Sequence, residues 1–398
     1  MVAFKNPSGS SDDRAQASVL DSPALLTAAL DAVADEVAGP LADEVDRVGR
    51  FPREGVRALG DVGLLGLLSS VDSGGSGAGL REAAQVIERL AGTCGSTAMV
   101  LLMHYSAVTV LDRFAPEEVR RDIAAGRHLS TLAFSERGSR SHFWAPVGTA
   151  TPDGPDAVRL DAQKSWVTSA GEADSYVWSS KPLRADGVMS LWLVSGGGTG
   201  LEVRGDYDGF GLRGNASSPM TAKAVQVSPD ALLGTDGEGL TTALEVVLPA
   251  FLVLSAAFSL GVTEALLGLT AAHLRDTRLE HLDQTLAQQP IARNHFAALR
   301  LRADALRAML EDTLRAMETG RPDATLRVLQ IKALAAETAA EVADGAMRLC
   351  GGSAFRRDTG VERRFRDALA ARVMAPTTEA LNDFCGRVQL GLPLFEEA

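Results

Sequence analysis

The fold class expected from the sequence is mainly α-helical with one small β-domain in the middle, and three observations point there. Apolar residues recur at helical spacing from about residue 24 to 130. Between roughly 131 and 235 the texture changes to short alternating runs separated by turn residues. After about 239 the helical spacing returns and persists. These divisions predict an arm at 1–20, an α-helical domain at 21–130, a β-domain at 131–235 and a C-terminal helical bundle at 236–398.

Each piece has a local reason. The first 20 residues are polar and Ser/Asp-rich, so they read as a disordered arm without a signal peptide. Ser69 to Gly79 is a Gly/Ser loop that divides the first helical region. Pro152-Asp153-Gly154-Pro155-Asp156 reads as a turn, and Val188 to Val194 as a strand. The uncharged run Val246 to Val262 carries Pro249, Ser255, Ser259 and Gly261, and a membrane span needs about 20 apolar residues, so a buried helix is expected and no membrane partner. Leu299, Ala303, Leu306, Leu310, Leu314 and Met317 share one helical face, and Leu326, Leu329, Ala333, Ala336, Ala340, Ala343 and Met347 share another. Faces so rich in alanine let helices approach closely, which predicts an antiparallel bundle and, with apolar surface left over, a homotetramer.

Charge and cysteine usage exclude several function classes. The chain has 51 acidic and 39 basic residues, a formal charge of −12, which argues against nucleic acid. Arg364 and Arg366 form a local basic cluster only. Three cysteines, Cys94, Cys350 and Cys385, lack metal spacing and suit buried thiols in a reducing cytoplasm. His142, His281 and His295 offer no ligand spacing either, so no metal is expected. No Gly-x-Ser-x-Gly elbow or phosphate-binding loop ending in Gly-Lys-Ser/Thr is present.

The segment Lys164-Ser165-Trp166-Val167-Thr168-Ser169-Ala170-Gly171 ends a strand with an aromatic and a hydroxyl residue, which can cover one face of a ring and hydrogen-bond its edge. Alternatively Trp166 is core and Thr168 a β-former. Further on, Cys350-Gly351-Gly352-Ser353-Ala354-Phe355 leads to Arg366-Asp367 and to Met374-Ala375-Pro376-Thr377. This stretch resembles the C-terminal signature of the flavin-dependent acyl-CoA dehydrogenase family. Lys164 to Gly171, Asp208 to Ser217 and Leu132 to His142 resemble three further family motifs, so the likeness spans nearly the whole chain. It implies a β-barrel-like middle domain, a C-terminal four-helix bundle and FAD. It also implies that Leu132, Phe134, Ser135 and Ser141 form the flavin loop, that Trp166 packs on the ring and that Thr168 reaches N5. Arg278 stands where the family has an arginine for the pyrophosphate of the adjacent subunit. Gly351 and Gly352 admit the adenosine half, and Thr377 borders the cofactor. The loop departs from the family pattern at Arg137, Arg140 and His142, which replace Pro, Gly and Asp.

The largest departure concerns chemistry. Counting from Arg366-Asp367, the family's catalytic glutamate falls on Ala375, its alternative site falls near Phe251, and the neighbouring arginine falls near Leu252. A dehydrogenase needs a base, so Glu379, one turn beyond Ala375, and His104, on a helix that lines the cavity in relatives, are the catalytic candidates, each with a structural alternative: Glu379 as a first-turn partner of the helix dipole and His104 as a satisfied structural histidine. Three readings follow. One is desaturation of an acyl thioester on CoA or a carrier protein, with an electron-transfer partner. Another is a flavin monooxygenase, fed by a flavin reductase, whose reduced flavin reacts with oxygen at C4a and hydroxylates N, S or C of a small hydrophobic substrate. The third is an inactive partner subunit.

Overall fold

The computed structural model describes residues 22–139 and 142–394, so the arm at 1–20 and Ser141 lie outside the described residues. The N-terminal elements are α1 (Pro23–Asp31), α2 (Gly39–Val48), α3 (Arg53–Asp61), α4 (Leu80–Thr93), α5 (Gly95–Phe114) and α6 (Glu117–Ala124). Strands β1 (Ser130–Ala133), β2 (Thr149–Pro152), β3 (Val158–Val167), β4 (Ser175–Ser180), β5 (Ser190–Ser195), β6 (Leu201–Val203) and β7 (Ser218–Val227) follow. Then come α7 (Gly239–Thr242), α8 (Leu248–Asp276), the hairpin of β8 (Arg278–Leu279) and β9 (Gln284–Thr285), α9 (Pro290–Glu318), α10 (Ala324–Cys350), α11 (Val361–Ala368), α12 (Ala370–Val373) and α13 (Thr378–Gln389).

The β-domain consists of two sheets, β1-β4-β5 and β2-β3-β7-β6. Their inner faces share a core in which Trp178 and Trp192 of the first sheet meet Leu160 of β3 and Met220 of β7. Strand β1 runs parallel to β4 and is an edge strand, so one side of it is free to face something other than a strand.

From Leu248 onward the uncharged run expected to be a buried helix lies in α8, whose residues Ala250 to Thr263 are all buried, and Val246 and Val247 fall in the π-helical turn just before it. The stretch Gly239–Asp276 is long and apolar enough to cross a membrane, but 89% of its most apolar window is buried inside the protein. Each leucine so buried contributes about 1.5–3 kcal/mol. Close approach of α4 depends on Gly261, where a Cβ would sit 2.1 Å from the Glu88 carbonyl oxygen. The shared face of α9 holds as read, with Leu299, Ala303, Leu306, Leu310 and Leu314 all buried.

Candidate active site

A cavity of about 860 Å³ opens between the β-domain and the C-terminal helices. Its β-side is made by Leu132, Phe134, Ser135, Glu136 and Arg137, by Ser165, Trp166 and Thr168, and by Asn215 and Ser217. Its helical side is made by Met99 and Met103 of α5, by Val247, Leu248 and Phe251, and by Ala370 and Val373 to Thr377.

On the β-side the polar groups are locked to one another. Lys164 Nζ, fully buried, sits 2.5 Å from Glu136 Oε1 and donates to the Ser179 carbonyl at 2.7 Å and the Ser179 hydroxyl at 2.8 Å. Glu136 Oε2 accepts from the amides of Val147 and Gly148 at 2.6 and 2.7 Å. Burial pushes the Lys164 ammonium down to about 8 even though Glu136 opposes the shift. The pair ties the β1 loop to the centre of β3, and because both Glu136 oxygens are engaged this carboxylate is no free base.

Trp166 owes its place to an irregularity in the ladder. The β3–β7 register shifts between Lys164 and Val167, and Trp166 there has φ +56°. A bulge re-aims the side chain it carries, and Trp166 is left 70% exposed on the cavity. Ser169, Leu212 and Ala216 also have positive φ, and Ser169 and Ala170 donate to the carbonyls of Asn215 and Ala216 at 2.9 and 3.1 Å. Non-glycine residues held this way cost about 1–3 kcal/mol each and mark sites where geometry matters more than stability. Thr168 Oγ1 lies 3.1 Å from Ser217 Oγ, both on the cavity. Asp367 braces this corner from beneath: buried and pushed up to about 6 by burial, it accepts from Leu212 N at 2.7 Å. Arg366 is engaged by Asp46 and Glu362, which makes it structural.

The helical side is apolar, and Ala375 and Phe251 both face the cavity, so neither position where the family carries its base holds a carboxylate. Of the ionisable groups lining the cavity, Tyr207 is held up by burial and donates to the Gly211 carbonyl at 3.0 Å. Arg137 is a cation and cannot accept. His142 pairs Nδ1 with the Ser139 carbonyl at 3.1 Å, and since a carbonyl only accepts, Nδ1 carries the hydrogen and Nε2 is left without a partner among the described residues. Among the described lining residues His142 is thus the one side chain with an uncommitted basic atom.

The two catalytic candidates read from sequence are elsewhere. His104 is completely buried off the cavity, with Nδ1 accepting from Ser130 N at 3.0 Å and Nε2 donating to the Leu65 carbonyl at 3.1 Å. Burial drives it down to about 4, so it is a neutral structural pin between α5 and β1 and not a proton carrier. Glu379 is exposed in the first turn of α13 and does not line the cavity; its carboxyl is held low by its own backbone amide and by Thr377, the role of a first-turn acid.

The cofactor candidates fall into two groups. Leu132, Phe134, Ser135, Trp166, Thr168 and Thr377 line the cavity, and Thr377 also caps α13. Arg278, Gly351 and Gly352 do not; they lie at the far end of the helices, where His273 of α8 links Thr277 to Ser353 at 3.3 and 3.4 Å. Arg278 there pairs with Asp283, and both glycines are exposed with open space at their Cβ positions.

Comparison with known proteins fits this arrangement. The N-terminal, middle and C-terminal domain models of acyl-CoA dehydrogenase match residues 22–126, 131–225 and 237–390. The chain belongs to the acyl-CoA dehydrogenase family. The mitochondrial short-chain specific acyl-CoA dehydrogenase of Bos taurus is 27% identical over 358 residues, covering 85% of this chain and 83% of its own. Butyryl-CoA dehydrogenase from Megasphaera elsdenii superposes with TM-score 0.85 at 20% identity, over 92% of this chain and 97% of that one. The prolyl acyl carrier protein oxidase AnaB superposes with TM-score 0.83 at 19% identity, over 92% and 97%. Members of this family are FAD-dependent flavoprotein oxidoreductases, and FAD is the cofactor here.

The residues present fit that group. A large aromatic is turned out of its sheet onto the cavity, beside a free sheet edge and a hydroxyl pair, in a volume within the ordinary range for cofactor sites. Sequence reasoning missed Glu136, Lys164, Tyr207 and Lys332 as builders of this site. Lys332 had a visible signal, since it stands three residues after Leu329 and four before Ala336, on the apolar stripe of its helix.

Proposed function

We propose that this oxidoreductase dehydrogenates an acyl thioester, carried on CoA or on a carrier protein, without a carboxylate on the helical wall. The observation that carries the reading is the polar β-side: Trp166 exposed on the cavity, Thr168 paired with Ser217, and the Glu136–Lys164 lock behind them. Held by Leu132, Phe134, Ser135, Trp166 and Thr168, FAD supplies a two-electron acceptor beside the substrate. Val247, Leu248, Phe251 and Met374 give the acyl chain an apolar wall that excludes water. Arg137, exposed at the rim, faces the phosphate-bearing arm of the carrier. The proton released from carbon goes to His142 Nε2, the free acceptor on the lining.

A second reading, hydroxylation, is favoured by the absence of a carboxylate at Ala375 and Phe251, because that reaction need not abstract a carbon-bound proton. Anaerobic mixing of the FAD-loaded protein with a panel of acyl-CoA and acyl-carrier thioesters separates the two. Bleaching of the flavin band by a thioester supports dehydrogenation. No bleaching, with oxygen consumed only when reduced flavin is supplied, overturns it in favour of hydroxylation. Ala375→Glu then sharpens the result: a dehydrogenase keeps or gains flavin reduction, whereas an oxygenase leaks peroxide because an unpaired carboxylate enters an apolar wall.

A further inference from the structure

One buried cation reaches the cavity wall from behind. Lys332 of α10 is 1% exposed, and its Nζ donates to the carbonyls of Met374 and Pro376 at 2.8 and 2.7 Å. Those carbonyls flank Ala375, and residues 374–377 all line the cavity. The backbone between α12 and α13 has few other fastenings: Met374 N reaches the Ala370 carbonyl at 3.1 Å, and Thr377 caps the helix that follows.

Desolvating an ammonium costs several kcal/mol, and none of the ion pairs among the described residues engages Lys332. The charge is spent instead on two carbonyl oxygens of one short segment. The side chain is not on the cavity lining, so it is no nucleophile or Schiff-base former there. We propose that Lys332 is a positioning residue that fixes the Met374–Pro376 backbone and so sets where position 375 faces the substrate. Helix α10 thereby carries the wall as a rigid attachment, and the wall stays built although the carboxylate it presents in relatives is an alanine here. This holds whichever of the two reactions the cavity performs.

Hydrogen exchange on the full-length, FAD-loaded protein tests it without needing turnover. In Lys332→Met, protection across residues 370–378 falls by about tenfold or more, as expected for losing two charge-assisted hydrogen bonds, while a control peptide from β3 is unchanged. Equal protection in both proteins, or a uniform loss over both peptides, overturns the assignment. Should Lys332→Met not fold, Lys332→Gln, which keeps a neutral donor on the same helix position, is read on the same two peptides. A loss of protection confined to residues 370–378 supports the assignment, and unchanged or uniformly lowered protection overturns it.

Discussion

On the β-side of the cavity every buried charge has its partners: Glu136 is held by Lys164 and two amides, and Lys164 by Glu136 and Ser179. On the helical side the lining carries no charge, only Phe251, Leu248, Val373 and Ala375, and a buried cation, Lys332, stands behind it on backbone carbonyls. The first wall is built to keep polar atoms at fixed coordinates, as a cofactor requires. The second keeps a shape, and its backbone is secured as firmly as if position 375 still bore a reacting group. Cofactor geometry and substrate chemistry are thus specified by different parts of the chain, and the second can change while the first stays.

The largest test of this contrast is Lys164→Met. It strands the Glu136 carboxylate in the interior, so stability falls by about 3–5 kcal/mol in denaturant melts and FAD is lost with it. A loss under about 1 kcal/mol, the level of an exposed ion pair, would mean the β-side is not held by this lock. Next comes His142→Ala, for which turnover drops roughly 100-fold or more with FAD content intact if Nε2 takes the proton. Unchanged turnover would remove the last free base from the described lining and shift weight to hydroxylation. Trp166→Ala weakens FAD binding by about 0.5–1.5 kcal/mol, read by equilibrium titration of the apoprotein. Such a modest value fits one face of a ring covered by one aromatic, and no change would take Trp166 out of the cofactor wall. Glu379→Gln, the smallest, leaves the rate within about twofold, since helix-end charges contribute less than about 1 kcal/mol. A large loss there would return catalysis to α13 and contradict the apolar character of the helical side.

Most of the architecture was legible because long helices and short strands write their periods into the chain. The α9 face and the run inside α8 are examples in which apolar spacing alone placed the residues. The cavity was legible only in part. Trp166 and Thr168 stand out as an aromatic and a hydroxyl ending a strand, yet whether Trp166 faced inward depended on a bulge that residue identities do not reveal. His104 stayed open between a chemical and a structural role because its helix, α5, is buried on nearly all sides, so position along it carries no information about which side meets a cavity. Lys332 was readable as a charge on an apolar stripe, but its partners are backbone carbonyls more than 40 residues away, which no side-chain pattern encodes.

The register shift in β3 has a consequence for how this corner can change over generations. The aromatic is exposed because one strand counts residues differently from its neighbour between Lys164 and Val167. Exchanging side chains in that stretch alters the wall by degrees. Removing a single residue would restore even pairing, turn the indole into the sheet and reverse the positions downstream, whereas adding one would widen the mismatch. Chain length, more than composition, is therefore what this short stretch must preserve, and descendants of the protein should vary there in letters but not in count.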